Sequence, residues 1–354
     1  MAERAPLPEP DTRAEPFCRY FGSCGGCTLQ HFGPPSYMAF KQELVESALR
    51  SAHIIADVAP LLEAHGDGRR RATLHARGTA VGYMKARSHD LLDITACPIL
   101  VPALEHRAPA LGRPIAATLG DCDIAFTATD SGLDVAVHSG RKFKPEKLTL
   151  LAQRAQLARL SLNGEVVLEA RAPTIMMGRA AVELPVASFL QATAMAEATL
   201  AKLVLEGIGG AKSVADLFCG LGPFTLRIAE QAKVYAADAD KAAIAALQNA
   251  VRHTQGLKPV AAMTRDLFRE PLVPFELTGY DAVVFDPPRA GAEAQARELA
   301  RSKVATVVAV SCEPRTFVRD AAILIAGGYR LATVTPVDQF AWSTHVEVVG
   351  VFRR

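Results

Sequence analysis

The sequence predicts an α/β protein in which a doubly wound, mostly parallel sheet of seven strands follows a smaller β-rich domain. Three observations carry this. A chain of 354 residues exceeds what one core usually holds, so two domains are expected. From Ser188 onward, apolar strands alternate with amphipathic helices, the pattern of a parallel sheet with helices on both faces. Before Ser188 the text is instead a succession of short β-like runs broken by Gly, Asp and Asn.

Taken in order, residues 1–16 are rich in Pro, Glu and Ala and read as a flexible N-terminus. Residues 17–187 form the first domain and 188–354 the second. After Pro34-Pro35, Ser36 is placed to cap a helix over 36–53, in which Tyr37, Phe40, Leu44 and Ala48 make one apolar stripe. This helix is a candidate to pack on the second domain. Short strands are predicted at Arg71–Ala76, Ala80–Lys85, Cys122–Thr127, Leu133–His138 and Glu165–Glu169. In the second domain strands are predicted at Ser213–Phe218, Val234–Ala237, Pro259–Ala262, Asp281–Phe285, Ala305–Ser311, Arg330–Val337 and His345–Phe352. Helices are predicted between them at Ala192–Leu205, Phe224–Gln231, Asp240–His253, Ala292–Arg301 and Arg315–Ala326.

Half of the residues are hydrophobic and 21% are charged, the balance of a packed globular protein rather than a disordered or fibrous one. No run approaches the roughly 18 uncharged apolar residues of a membrane helix, and Met1-Ala-Glu-Arg-Ala-Pro-Leu-Pro lacks a signal peptide's apolar stretch. A cytoplasmic protein without membrane partners is expected, and a monomer. The formal charge of +2 does not by itself announce a nucleic-acid partner. Basic clusters at Arg69-Arg70-Arg71, Lys85 with Arg87, and Arg141-Lys142 with Lys144 and Lys147 could meet phosphates, or simply be solvated faces. Seven cysteines with no export signal argue against a disulfide framework and for metal binding or catalysis.

In doubly wound sheets ligands bind beyond the carboxyl ends of the strands. After the first strand of the second domain comes Asp216-Leu-Phe-Cys-Gly220-Leu-Gly222-Pro-Phe224, whose glycines permit a tight turn and close approach to a ligand. Asp238, at the end of the next strand, is placed to accept hydrogen bonds from ribose hydroxyls. The full dinucleotide fingerprint is missing, and Asp216 suits a cationic cofactor better than a diphosphate. S-adenosylmethionine meets both conditions.

The fourth strand ends in Asp286-Pro-Pro-Arg289-Ala-Gly291. Amino methyltransferases follow such a motif with an aromatic that stacks on a flipped base; Arg289 stands there instead, and cytosine-C5 enzymes commonly carry a cysteine in it. The fifth strand delivers Ser311-Cys312-Glu-Pro to the same edge. Methylating a pyrimidine at C5 requires a nucleophile at C6, for which a thiolate is suited, and a base for the C5 proton. Asp338-Gln-Phe340-Ala-Trp342-Ser-Thr-His345-Val-Glu347 offers one. On pattern alone Cys312 is equally a buried core thiol and Glu347 a solvated strand residue.

Phe189-Leu-Gln191, the Asp216 glycine loop, Asp286-Pro-Pro-Arg-Ala-Gly291, Ser311-Cys312-Glu-Pro and Asp338-Gln-Phe…His345-Val-Glu347 together resemble, in order and spacing, the RNA uracil-C5 methyltransferases. The resemblance implies a Rossmann-like class I S-adenosylmethionine methyltransferase domain over 188–354. It implies Cys312 as nucleophile, Glu347 as base, and Gln191, Phe218, Asp238, Asp266 and Asp286 at the cofactor, with Gln191 and Asp286 also near the uracil. Thr193 stands where the family usually has Asn, Pro223 replaces a common Asn, and Phe340-Ala-Trp-Ser-Thr replaces Phe-Pro-x-Thr. Trp342 could stack on a base or be core.

Cys18-x5-Cys24-x2-Cys27 with a distant Cys97-Pro98 suits zinc or an iron–sulfur cluster, and three close cysteines with a remote fourth before Pro are more like a [4Fe–4S] site. The family's ribosomal-RNA members are similar at all four positions and its transfer-RNA members typically lack them. That implies an iron–sulfur domain and, as partner, 23S ribosomal RNA or a ribosome assembly intermediate. The alternatives are a transfer-RNA uracil methyltransferase and a metal-binding RNA module without catalysis. The N-terminal RNA-binding β-barrel (TRAM) that many relatives carry is not expected here, which leaves phosphate contacts to the middle domain. Cys122 and Cys219 are assigned to packing.

Overall fold

The computed structural model describes residues 7–140 and 146–354. Arg141, Lys142 and Lys144 of the last basic cluster lie outside the described residues. Strands Ser213–Leu217, Lys233–Asp238, Val260–Thr264, Ala282–Phe285 and Thr306–Ser311 run parallel, and Arg330–Asp338 shares their direction. Glu347–Arg353 is antiparallel and slots between Thr306–Ser311 and Arg330–Asp338. An eighth strand corrects the expected seven: Leu62–Glu63 adds to the edge, parallel to Val337–Asp338. Its two residues are too short to announce themselves as a strand.

Strands buried on both faces read as continuous apolar runs. Val214, Val234, Val284 and Val308 face one core with helices Ala194–Ile208 and Lys241–His253. Ala215, Phe285, Val307 and Val348 face the other, with Pro34–Ser51, Glu293–Arg301 and Pro314–Ala326. The helix expected to start at Ser36 begins instead at Pro34, because proline's fixed φ and missing N–H suit a first turn. Ser36 does not cap it; its hydroxyl accepts the Thr12 N–H at 2.8 Å. Residues 12–14, expected to be flexible, are held by Gly33 N to Thr12 O at 2.7 Å and Ala14 N to His31 O at 3.0 Å.

The second sheet has seven strands in the order 91–93, 80–84, 71–77, 122–129, 132–138, 159–162 and 165–169. It is antiparallel except where Gly132–His138 meets Arg159–Leu162. Helices Arg107–Leu119 and Glu146–Arg154 pack on it around Leu74, Ile115, Ile124 and Phe126. The expected division at residue 188 is crossed by three segments. Helix Pro34–Ser51, strand Leu62–Glu63 and the hairpin Thr174–Met177 with Ala180–Glu183 all pack with the cores of the eight-stranded sheet. Among the described residues, no helix is long and apolar enough to cross a membrane.

Candidate active site

The carboxyl edge of the parallel strands gathers most of the expected site residues. Cys312 follows Ser311 directly, and Ser311 pairs with Val348 across the antiparallel junction, so Glu347 opens its strand beside the thiol's strand end. Glu347 is 3% exposed. Its Oε1 accepts from Gln339 Nε2 at 2.7 Å, while its Oε2 is buried without a hydrogen-bond partner. Gln339 Nε2 also donates to Gln191 Oε1 at 2.8 Å, and Gln191 Nε2 donates to Asp286 Oδ2 at 3.0 Å. One amide chain thus joins the two carboxylates.

Among the described residues no cation is buried with those carboxylates; Arg289, whose charge acts on Glu347, is exposed. Burial, then the nearby Asp286 charge, pushes Glu347 up to about 8. Burial pushes Asp286 up to about 7 against the hydrogen bond from Gln191. Burial also raises Asp216 to about 7, although Thr225 Oγ1 donates to its Oδ2 at 2.5 Å; its Oδ1 is buried and unpartnered. Burial, then Glu347 and Asp286, raises the half-buried Cys312 thiol to about 11, with Arg289 pulling the other way. A positive charge entering between these groups would be favoured by all of them and would lower the thiol's pKa.

A second group lies at the next three strand ends. Asp238 Oδ2 accepts from Gly220 N at 2.9 Å, tying the glycine loop to the second strand. Gly222, at φ 85°, has no room for a side chain, since a Cβ would meet Leu247 at 2.5 Å. The Phe218 ring lies 5.3 Å from that of Phe268, tilted by 58°, and the Phe268 N–H is accepted by Asp266 Oδ1 at 3.1 Å. The buried Asp216 carries the field of both Asp286 and Asp238, which makes the two groups one site. The edge can therefore present a thiol, a base with one bare oxygen, and acidic and aromatic groups for a cationic nucleoside.

The tRNA (Uracil-5-)-methyltransferase family matches residues 147–354. The chain belongs to this family. It is an RNA methyltransferase, and S-adenosylmethionine-dependent methylation of uracil C5 is the family's reaction. An uncharacterized RNA methyltransferase of Brucella suis is 50% identical over 97% of this chain and 85% of its own length. The 23S rRNA (uracil(1939)-C(5))-methyltransferase RlmD of Pseudomonas syringae pv. tomato is 32% identical over 97% of this chain and 81% of its own. Among solved structures, the tRNA (uracil-54, C5)-methyltransferase of Pyrococcus abyssi, in complex with S-adenosyl-L-homocysteine, superposes with a TM-score of 0.76 at 22% identity. It covers 95% of this chain and 86% of that one. The fold is the α/β class I methyltransferase fold.

Of the departures from the family's pattern, Thr193 and Trp342 have local roles, and nothing in the structure explains Pro223. Thr193 caps helix Ala194–Ile208, accepting from Ala196 N at 2.9 Å, and donates to Ala64 O at 2.6 Å. Pro223 O accepts from Arg227 Nη1 at 2.7 Å. Trp342 lies 4.7 Å from Tyr37 and 5.7 Å from Phe17, in an aromatic cluster that fastens the N-terminal segment to the loop before Glu347.

Cys18, Cys24, Cys27 and Cys97 line one cavity of about 180 Å3 with Gln30, Arg69 and Tyr83. Burial raises the Cys24, Cys27 and Cys97 thiols, and each is raised further by at least one other cysteine of the four. Among the described residues no group of three or more His, Cys, Asp or Glu is placed to hold a metal ion. Cys122 and Cys219 are buried in the cores.

Sequence reasoning missed two features. Gln339 lies inside the Asp338-Gln-Phe motif, and its role depends on contacts with Ala192 and Gln191. Arg70 donates to Glu197 at 2.6 Å and to Gln191 O at 3.0 Å, and Arg227 donates to Glu197 at 3.0 Å. This buried junction joins the cysteine-bearing half to the active-site backbone; the basic run Arg69–Arg71 was its only signal.

Proposed function

We propose that the protein methylates C5 of a uracil in 23S ribosomal RNA, with Cys312 as nucleophile and Glu347 as base. The observation that carries the reading is the meeting of the two at one strand junction, with Glu347 Oε2 buried and unpartnered. The Cys312 thiolate bonds to C6, and the C5–C6 π electrons move onto C5 and the adjoining carbonyl. C5 takes the methyl group from the sulfonium of S-adenosylmethionine, whose carbon–sulfur bond breaks to leave S-adenosylhomocysteine. Glu347 then removes the C5 proton, the C5–C6 double bond re-forms, and the thiolate departs. Asp286, Asp216, Asp238 and Asp266 supply the negative field for the cationic donor, and Phe218 with Gln191 completes its pocket. RNA carrying 5-fluorouridine tests this: fluorine cannot leave as a proton does, so a covalent adduct must form with the wild type and be lost in Cys312→Ala. Absence of the wild-type adduct would sink the mechanism.

Ribosomal RNA is favoured by the likeness to RlmD and by the four cysteines. A transfer-RNA substrate is the second reading, from the family's name and the likeness to the Pyrococcus abyssi enzyme. Mapping 5-methyluridine by mass spectrometry in both RNAs from a deletion strain decides between them.

We infer from the chemistry of its lining that the cysteine cavity is a [4Fe–4S] site. Its donors are all thiols, Cys24 Sγ accepts from Gly26 N at 3.4 Å, and Gln30 Nε2 and Arg69 Nε in the cavity wall are buried without partners. Its volume of about 180 Å3 is many times the roughly 10–15 Å3 that a single water needs. Cys18, Cys24, Cys27 and Cys97 would hold the cluster, which would supply a structural cross-link between the N-terminal segment and the second sheet. Anaerobically purified protein is expected to contain iron and sulfide; a colourless protein containing zinc alone would refute the assignment.

A further inference from the structure

We propose that Gln339 is a positioning residue of the reaction: its carboxamide leaves the base Glu347 with one held and one bare oxygen, and it sets which way round Gln191 presents its own amide. The inference rests on Glu347 being the base.

The argument starts from a single backbone hydrogen. Ala192 N–H can only donate, and Gln339 Oε1 lies 2.8 Å from it. The amide's oxygen must therefore face Ala192, and its nitrogen must face the other way. There Nε2 has two hydrogens and meets two acceptors, Glu347 Oε1 at 2.7 Å and Gln191 Oε1 at 2.8 Å. Once Gln191 Oε1 is an acceptor, its Nε2 is left to donate to Asp286 at 3.0 Å. The orientation of both amides and the occupied oxygen on both carboxylates thus follow from one N–H.

Gln339 is itself immobile. It is 1% exposed and follows Asp338, whose carboxylate accepts from Lys41, Tyr37, His65 and the Phe340 N–H. The consequence for Glu347 is asymmetric. Oε1 already accepts one bond and Oε2 is buried with no partner, so the less encumbered lone pairs lie on one side. A bond donated to the ionised carboxylate also favours that form, countering the burial that raises Glu347. The side chain thus aims the base and keeps more of it ionised.

The experiment compares wild type, Gln339→Met and Glu347→Gln on RNA carrying an unmodified target uridine. Gln339→Met keeps the side-chain volume and removes both donor and acceptor. It is expected to bind RNA as wild type does and to form the Cys312 adduct. Turnover should fall about tenfold or more, and by no more than the roughly 10²–10⁴ that a general base contributes. Methylated covalent adduct should accumulate, because its release waits on proton removal. The acid limb of the pH–kcat profile should move to higher pH, which a purely structural defect would not produce. Turnover and acid limb matching wild type would overturn the proposal, as would a defect confined to the KM for S-adenosylmethionine. If Gln339→Met does not fold, Gln339→Asn, a carboxamide one methylene short, must show the same slowed release; wild-type release there overturns it. Glu347→Gln separates this inference from the reading beneath it. Should Glu347→Gln accumulate no adduct, the assignment of the base fails. Should it do so while folded Gln339 variants do not, only the role of Gln339 fails.

Discussion

Two sets of buried carboxylates lie at the same edge of the sheet, and they are treated in opposite ways. Asp338 is fully enclosed and surrounded by donors. Lys41 Nζ approaches its Oδ1 at 2.8 Å, His65 Nε2 its Oδ2 at 2.8 Å, and the Tyr37 hydroxyl also donates. Burial alone would raise its pKa, but these donors together hold it below the usual carboxylate range. Lys41 also reaches Phe340 O at 3.1 Å and His345 O at 2.5 Å, so its three acceptors take all the hydrogens of an ammonium. Glu347 and Asp216 are as deeply placed and Asp286 is half-buried, yet among the described residues their hydrogen bonds come only from neutral groups, the exposed Arg289 acts on Glu347 through its charge alone, and burial drives all three upward. A buried acid with its countercharge is architecture; a buried acid without one is a place kept for a cationic ligand or a proton. The first set fixes the loop 338–346, and the second does its work at the end of that loop.

The largest effect expected from this contrast follows from breaking the compensated pair. Lys41→Met leaves Asp338 charged and enclosed, and Asp338→Asn leaves the Lys41 ammonium without its anion. Each should destabilise by about 3–5 kcal/mol, the cost of stranding one partner of a buried pair, as read from denaturant midpoints. Glu347→Gln strands no charge, so it should be near neutral or stabilising at pH 7. An equal loss in Glu347→Gln and Asp338→Asn would erase the distinction between the two sets.

A smaller effect, of opposite sign, is expected from pH. The folded-state pKa values of Asp216, Asp286 and Glu347 lie above their unfolded values, so folding favours their protonated forms. The stability this contributes is complete below about pH 4 and is lost as pH rises through about 7 for the aspartates and about 8 for Glu347. Asp286 and Glu347 titrate as a pair. The melting temperature of Glu347→Gln should therefore overtake that of the wild type between pH 6 and pH 9, by the equivalent of at most a few kcal/mol. S-adenosylmethionine, being cationic, should raise the wild-type melting temperature more at pH 9 than at pH 6. Melting curves parallel across that range would remove the case for an uncompensated set.

The catalytic half was legible because its strands are buried on both faces and its helices carry regular stripes; Thr306–Ser311 is buried at every position. The middle domain was only partly so. Helix Arg107–Leu119 contains Pro109, Gly112 and Pro114, which mask its helical period. Yet Gly112 is what lets it lie against the second sheet, where a Cβ would come within 2.7 Å of Val81. Cys312 and Glu347 were recognisable through their motifs, and their burial and unpaired oxygen became visible only in three dimensions. Lys41, Gln339 and Glu197 depend on partners 297, 148 and 127 residues away. No local pattern encodes such contacts.

The smallest expected effect comes from a neutral group that borders both sets. Thr193 lies two residues beyond Gln191, in the uncompensated chain, and its hydroxyl donates to Ala64 O, while Ala64 N donates to Asp338 O at 3.0 Å. Through this hydroxyl the start of helix Ala194–Ile208 is tied to the strand end that carries Asp338. Thr193→Ala removes an N-cap and strands one buried carbonyl, which should cost about 1–2 kcal/mol. Thr193→Asn restores a good capping acceptor and the residue common in the family, so it should recover most of that loss. Neither substitution alters a charge, so neither should move the pH at which Glu347→Gln overtakes the wild type. If Thr193→Ala does shift it, the two sets are mechanically coupled through residues 191–193. The contrast would then be between two ends of one device.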